Sequence, residues 1–270
     1  MSTATRSRTR AVATLAVVVT VALLGAVLPG SAAYALPSGA GWSGSWSYYH
    51  PTAFQYAGTL PGVKLTGYAT DNSGTGSTLG VIEDTANDGR CARVLVYAPG
   101  AGYLADKTTC GVGTSLNYTT TDFSQGLLVI VYRMISGTTT SDKGFYLNIP
   151  SSAADPELRT VGTGASWSYY TPTAFQYTLT RPGVALTGYG AHQSFDERSS
   201  LNTVQKTVGT AGCASASVTG GVATSGSTCV ANGSANFSRS DLSNNLEASA
   251  CYQPTAGTKR CLPLTIPEPW

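Results

Sequence analysis

Ser45-Trp-Ser-Tyr-Tyr-His-Pro-Thr-Ala-Phe-Gln-Tyr56 returns 121 residues later as Ser166-Trp-Ser-Tyr-Tyr-Thr-Pro-Thr-Ala-Phe-Gln-Tyr177. The match runs on through Pro61-Gly-Val-Lys-Leu-Thr-Gly-Tyr68 and Pro182-Gly-Val-Ala-Leu-Thr-Gly-Tyr189, so that 19 of the 24 aligned positions are identical. Self-similarity at a fixed offset means two copies of one folding unit. Beyond this block the copies diverge, but Cys91 aligns near Cys213, Cys110 near Cys229, Asp122 near Asp241, and Ile149-Pro150 near Ile266-Pro267. The expected organisation is therefore a leader over residues 1–35, copy one over 36–150, a connector over 151–164 and copy two over 165–270.

Both copies consist of short runs rich in Val, Tyr, Thr and Leu, broken by Gly, Pro, Asn and Asp, and neither holds a helical period. This pattern predicts an all-β fold, a tandem antiparallel β-sandwich or small Greek-key barrel. In copy one the expected strands are Val63 to Thr70, Ser77 to Glu83, Ala92 to Tyr97, Thr114 to Thr120, Gly126 to Met134 and Gly144 to Ile149, after a first strand in the aromatic block. The matching runs of copy two, such as Ala214 to Val218 and Leu246 to Tyr252, carry smaller side chains and predict a thinner core.

The chain opens with Arg6, Arg8 and Arg10, an apolar run from Ala11 to Leu28, and a small-residue site at Ala33-Tyr34-Ala35. That is the pattern of a secretory signal, with a mature start near Leu36. Removing it takes three arginines and no acid, which turns the formal charge of +2 into −1. Only 11% of residues are charged, so no basic stripe exists to neutralise phosphates, and neither nucleic acid nor an anionic membrane is an expected partner. No later run is long enough to insert in a membrane. Cys91, Cys110, Cys213, Cys229, Cys251 and Cys261 form an even set in an exported chain, which predicts disulfides. Pairing homologous positions gives Cys91 with Cys110 and Cys213 with Cys229, leaving Cys251 with Cys261 as a staple private to copy two.

Few residues offer chemistry. The two histidines, His50 and His192, do not recur between copies, and the G-x-S-x-G elbow is absent. Glu83 with Asp84, and Asp196 with Glu197, are the carboxylate pairs that glycoside hydrolysis would need. The run Glu83-Asp-Thr-Ala-Asn-Asp-Gly89 carries oxygen ligands for calcium without EF-hand spacing. No C-x-x-C pair stands ready for zinc. No metal, cofactor or catalytic residue is expected.

The repeated aromatics support a binding role instead. Trp46, Tyr48 and Tyr49 with Phe54 and Tyr56, mirrored by Trp167, Tyr169 and Tyr170 with Phe175 and Tyr177, supply either a stacking surface for a ligand or a core strand. Alternation sets Trp46 and Tyr48 on one face and Tyr49 on the other. A second candidate surface comes from comparing the copies. Arg93, Leu95 and Tyr97 stand where copy two has Ser215, Ser217 and Thr219, and Leu128, Ile130 and Tyr132 stand where it has Glu247, Ser249 and Cys251. Copy one is thus expected to keep an apolar outer sheet face that copy two lacks, and such a face is covered or used.

The run Asp88-Gly-Arg-Cys-Ala-Arg-Val-Leu-Val-Tyr97, followed by Cys110-Gly-Val-Gly113, resembles small secreted disulfide-linked β-domain proteins of actinobacteria, mostly without assigned function. The likeness covers about half of each copy. A second similarity is to the proteinaceous α-amylase inhibitors, whose inhibitory Trp-Arg-Tyr is replaced here by Trp46-Ser-Tyr48 and Trp167-Ser-Tyr169, which speaks against amylase inhibition. The expected function is a secreted binding or assembly module for a protein or glycan at the cell surface or in an extracellular complex. The alternatives are an inhibitor of a secreted hydrolase and a hydrolase with a site in one copy.

Overall fold

The computed structural model describes residues 41–267 except 73–74, 124–125, 152–154, 195–196, 210 and 243–244. The expected leader and its cleavage site lie outside the described residues. No helix among the described residues is long and apolar enough to cross a membrane.

Copy one forms nine strands: β1 (Ser43–His50), β2 (Ala53–Leu60), β3 (Val63–Asn72), β4 (Thr75–Asp84), β5 (Arg90–Ala98), β6 (Gly102–Cys110), β7 (Thr114–Phe123), β8 (Leu127–Ile135) and β9 (Ser141–Ile149). Copy two repeats them as β10 (Gly164–Thr171), β11 (Ala174–Arg181), β12 (Val184–Ser194), β13 (Glu197–Lys206), β14 (Gly212–Thr219), β15 (Ala223–Thr228), β16 (Ser234–Leu242), β17 (Leu246–Pro254) and β18 (Arg260–Ile266). The six strands expected from periodicity are present, five of them longer than expected and β8 shifted by one residue. The aromatic block is two strands rather than one, because Pro51-Thr52 turns the chain between β1 and β2. The polar β6 carried no periodic signal.

The strands build three antiparallel sheets: one of ten strands, ordered β16-β13-β12-β11-β10-β1-β2-β3-β4-β7, and two of four, ordered β6-β5-β8-β9 and β15-β14-β17-β18. Each four-stranded sheet packs on its own half of the long sheet, which makes each copy a sandwich of five strands over four. Adding nine to any strand number of copy one gives the strand of copy two with the corresponding neighbours.

The copies are joined edge to edge through β1 and β10. Ser45 pairs with Ser166, its own repeat equivalent, and Trp46 with Ala165 while Trp167 pairs with Gly44. A pseudo-twofold axis therefore passes between the two serines, and each tryptophan lies opposite a small residue of the other copy. Backbone hydrogen bonds past the ladder obey the same symmetry: Tyr169 N–H donates to Trp42 O at 2.8 Å and Tyr48 N–H to Thr163 O at 2.9 Å. Gly41 N–H donates to Tyr169 O at 3.2 Å and Gly162 N–H to Tyr48 O at 2.9 Å. Pairing the two first strands removes two exposed sheet edges, which would otherwise be templates for aggregation.

One hydrophobic core runs through both sandwiches. At the seam Phe145 of β9 packs edge-on against Trp167 of β10, with ring centroids 5.5 Å apart. Copy two is the thinner half: Val94, Val129, Val131 and Phe145 are answered by Ala216, Ala248, Ala250 and Leu262, all buried. Gly67 and Gly188 recur for a steric reason, since a Cβ on either would lie 2.1 Å from the Cζ of Tyr56 or Tyr177.

The buried polar groups also correspond, with exchanged chemistry. The Tyr56 hydroxyl hydrogen-bonds the Tyr118 hydroxyl at 2.8 Å and Thr78 Oγ1 at 2.7 Å. In copy two Tyr177 donates instead to Asn202 Oδ1, and Asn202 and Phe237 stand where copy one has the pair Gly80 and Tyr118. Asp84 accepts from Gly111 N–H at 2.8 Å behind the first disulfide, while its counterpart Lys206 donates to Cys229 O at 3.1 Å. The same anchoring is made once with a carboxylate and once with an ammonium.

The cysteines pair as expected, Cys91 with Cys110, Cys213 with Cys229 and Cys251 with Cys261. The connector is structured where described. Gly164, expected within it, opens β10, and a 3₁₀ turn at Pro156–Arg159 buries Leu158. Ion pairs fix this turn to both copies: Arg159 to Asp71 of copy one at 3.5 Å, and Asp155 to the buried Arg181 of copy two at 3.0 Å.

Candidate functional site

The expected binding aromatics divide between core and surface. Trp46, Tyr48, Trp167 and Tyr169, expected as ligand contacts, are instead core residues buried beneath the four-stranded sheets, because alternation turns them inward. Their fellows Phe54, Tyr56, Phe175 and Tyr177 are buried as well. Tyr49 and Tyr170 point outward, 49% and 58% exposed.

The other five candidates come together on one surface. Leu95 and Tyr97 of β5 and Leu128, Ile130 and Tyr132 of β8 share the outer face of copy one's four-stranded sheet, where β5 and β8 pair Leu95 with Ile130 and Tyr97 with Leu128. All five are half-buried. Neighbouring strands extend the patch: Tyr146 of β9 lies opposite Ile130, and Tyr103 of β6, 72% exposed, meets Tyr97 edge to face at 5.5 Å. A groove of about 420 Å3 runs over Leu128, Ile130, Tyr132, Gly144 and Tyr146. Gly144 forms its floor beside Tyr132, whose ring approaches so closely that a Cβ there would lie 2.6 Å from Cδ1.

Charges rim this apolar surface. At one end Arg133 Nη2 binds Asp142 Oδ2 at 2.5 Å and Arg90 Nη1 binds the same oxygen at 2.9 Å. Burial tends to raise the Asp142 carboxyl, but the hydrogen bond and charge of Arg133, with Arg90 behind it, hold it below the ordinary carboxylate range. Lys143 is held below the usual lysine range by burial and by Arg133. At the other side Arg93 clamps Asp106 through Nε at 2.8 Å and Nη2 at 2.5 Å, and that hydrogen-bonded clamp depresses the Asp106 carboxyl.

The corresponding face of copy two has no such patch. Its register places Ser217 opposite Ser249, Thr219 opposite Glu247, and the Cys251–Cys261 disulfide where Tyr132 and Gly144 pair in copy one. The private staple thus replaces the aromatic wall of the groove.

The candidates for chemistry do not assemble. Glu83 faces out and Asp84 in on β4, so the two carboxylates lie on opposite sides of the sheet. Asp88, from the calcium candidate, accepts from Arg90 N–H at 3.0 Å and faces Arg133 at 3.5 Å. His50 Nδ1 shares a hydrogen bond with Thr52 Oγ1 at 3.0 Å in its own turn. Asp196 and the side chains of His192 and Glu197 lie outside the described residues. Among the described residues no group of three or more His, Cys, Asp or Glu side chains is placed to hold a metal ion.

A second outward face was missed from the sequence. Tyr68 and Leu79 on copy one, and Tyr189 and Leu201 on copy two, stand 51–58% exposed on the ten-stranded sheet. The signal was present, because Leu65, Gly67 and Ala69 turn inward and force Tyr68 out.

No family model and no curated protein matches the chain.

Proposed function

We propose that this protein is a secreted binding module that docks a protein partner on the outer face of copy one's four-stranded sheet. The carrying observation is the contrast between two halves with equivalent inner faces: one keeps Leu95, Tyr97, Leu128, Ile130 and Tyr132 around a groove, and the other has Ser, Thr, Glu and a disulfide there. Folding alone does not require the apolar version, since copy two forms the same sheet without it. An apolar centre with charged residues at its edge is the anatomy of a protein interface, and Tyr in a groove is the type of residue that anchors one. Three disulfides support an oxidising, extracellular setting.

The test uses the full chain and a Leu128→Ser, Ile130→Ser variant that retains the wild-type circular dichroism. Each is immobilised and exposed to the culture fluid of the producing cells, and bound polypeptides are identified. A polypeptide held in stoichiometric amount by the wild type and lost from the variant supports the reading. Equal capture by both, or capture by neither, refutes it.

A further inference from the structure

We infer that the outer face of the ten-stranded sheet binds a neutral, extended polysaccharide, at a site distinct from the copy-one groove. The face is polar, almost uncharged and continuous across both copies. Following the pairing register, one row of outward side chains reads Asn117, Val81, Thr66, Ala57, Ser45, then across the axis Ser166, Thr178, Thr187, Thr203 and Asn236. Eight of these ten carry a hydroxyl or carboxamide. Neighbouring strands lie about 4.8 Å apart, so the row is on the order of 40 Å long. That length suits a polymer rather than a single sugar.

Two pairs of exposed apolar side chains flank this row symmetrically. Tyr68 pairs with Leu79 on one side of it, and Tyr189 with Leu201 on the other. Tyr49 supports Tyr68 edge to face at 6.5 Å. Two depressions open on the same surface. One, of about 260 Å3, crosses the seam beside the pseudo-twofold axis, on the copy-two side, and includes Ser45, Ser166, Gln176, Thr178 and Tyr189. The other, of about 310 Å3, includes Tyr49, Tyr68, Leu79, Thr70 and Thr119. Each therefore joins an aromatic ring to hydroxyl groups.

Pyranose rings carry the complementary chemistry, with apolar C–H faces that stack on aromatic rings and hydroxyl edges that exchange hydrogen bonds with Ser, Thr, Asn and Gln. Charge decides against the other classes. Among the described outward positions of these strands only Lys64 and Glu83 are charged, and they are directly paired across β3 and β4. Such a face offers nothing to the phosphates of nucleic acid or to an acidic polysaccharide. Protein interfaces are depleted in serine, which is abundant here.

Depletion assays with the full chain on microcrystalline cellulose and on chitin, with heparin beads as the charged comparison, test the assignment. The wild type is expected to partition onto at least one neutral solid and not onto heparin. A Tyr68→Ser, Tyr189→Ser variant should lose binding by at least about 10-fold while keeping the wild-type circular dichroism. The Leu128→Ser, Ile130→Ser variant should bind the solid as the wild type does, which separates this site from the copy-one groove. No partition onto either solid, preference for heparin, or unchanged binding by the tyrosine variant would overturn the inference.

Discussion

Replacing Trp167 with Ala tests whether the two copies fold as one body. The indole is almost fully buried at the seam, lies opposite Gly44 of the other copy, and packs on Phe145 at 5.5 Å and Tyr169 at 6.1 Å. Truncating a buried Trp costs about 3–5 kcal/mol in transfer and cavity terms, against a total stability on the order of 5–15 kcal/mol. The ring pair itself contributes about 0.5–1.5 kcal/mol beyond burial. Urea unfolding of the wild type, Trp167→Ala, Phe145→Ala and the double variant, with disulfides intact, gives a double-mutant cycle. A single transition in every case and a coupling of about 1 kcal/mol are expected, although Phe145 and Trp167 belong to different copies. Additivity within about 0.3 kcal/mol, or two transitions of which each variant shifts only one, would refute a shared core.

Three further outcomes follow from the same structure. Burial pushes the hydroxyls of Tyr56, Tyr118 and Tyr177 above the ordinary phenol value of 10.0. Stability should hold below that pH and fall above it, by up to about 1.4 kcal/mol per pH unit for each tyrosine, because only the unfolded chain ionises; absorbance at about 295 nm should show these three ionising only on unfolding. Replacing Cys251 and Cys261 by Ser should cost about 2–3 kcal/mol for a loop of this length, read as a lower urea midpoint with the copy-one groove unaffected. Tyr118→Phe should cost about 1 kcal/mol through the lost hydroxyl contact. Adding Gly80→Asn should lower stability further, because a Cβ on Gly80 would lie 2.2 Å from Cζ of the ring at position 118, which Phe retains; thermal melts that place the double variant at or above the single one would contradict this packing.

The fold was legible where apolar residues alternate. Val94 and Val96 inward with Leu95 and Tyr97 outward needed only period two, and the disulfides followed from homologous spacing. The aromatic block was ambiguous because its two strands are joined by a tight Pro51-Thr52 turn, and both burial and exposure occur within it: Tyr48 is inside and Tyr49 outside. Strand β6 was invisible because Asp106, Lys107 and Thr108 face solvent at a sheet edge. The seam could not be read at all. Pairing β1 with β10 depends on complementarity between Trp46 and Ala165, and between Trp167 and Gly44, across 121 residues of chain.

Tyrosine-directed surface labelling followed by peptide mass spectrometry reports the sidedness on which both binding surfaces rest. Tyr49, Tyr68, Tyr103, Tyr170 and Tyr189 should be modified in the native protein, while Tyr48, Tyr56, Tyr118, Tyr169 and Tyr177 stay unmodified until it unfolds. Native labelling of Tyr48 and Tyr169, or protection of Tyr68 and Tyr189 in the free monomer, would contradict the assignment of inner and outer faces.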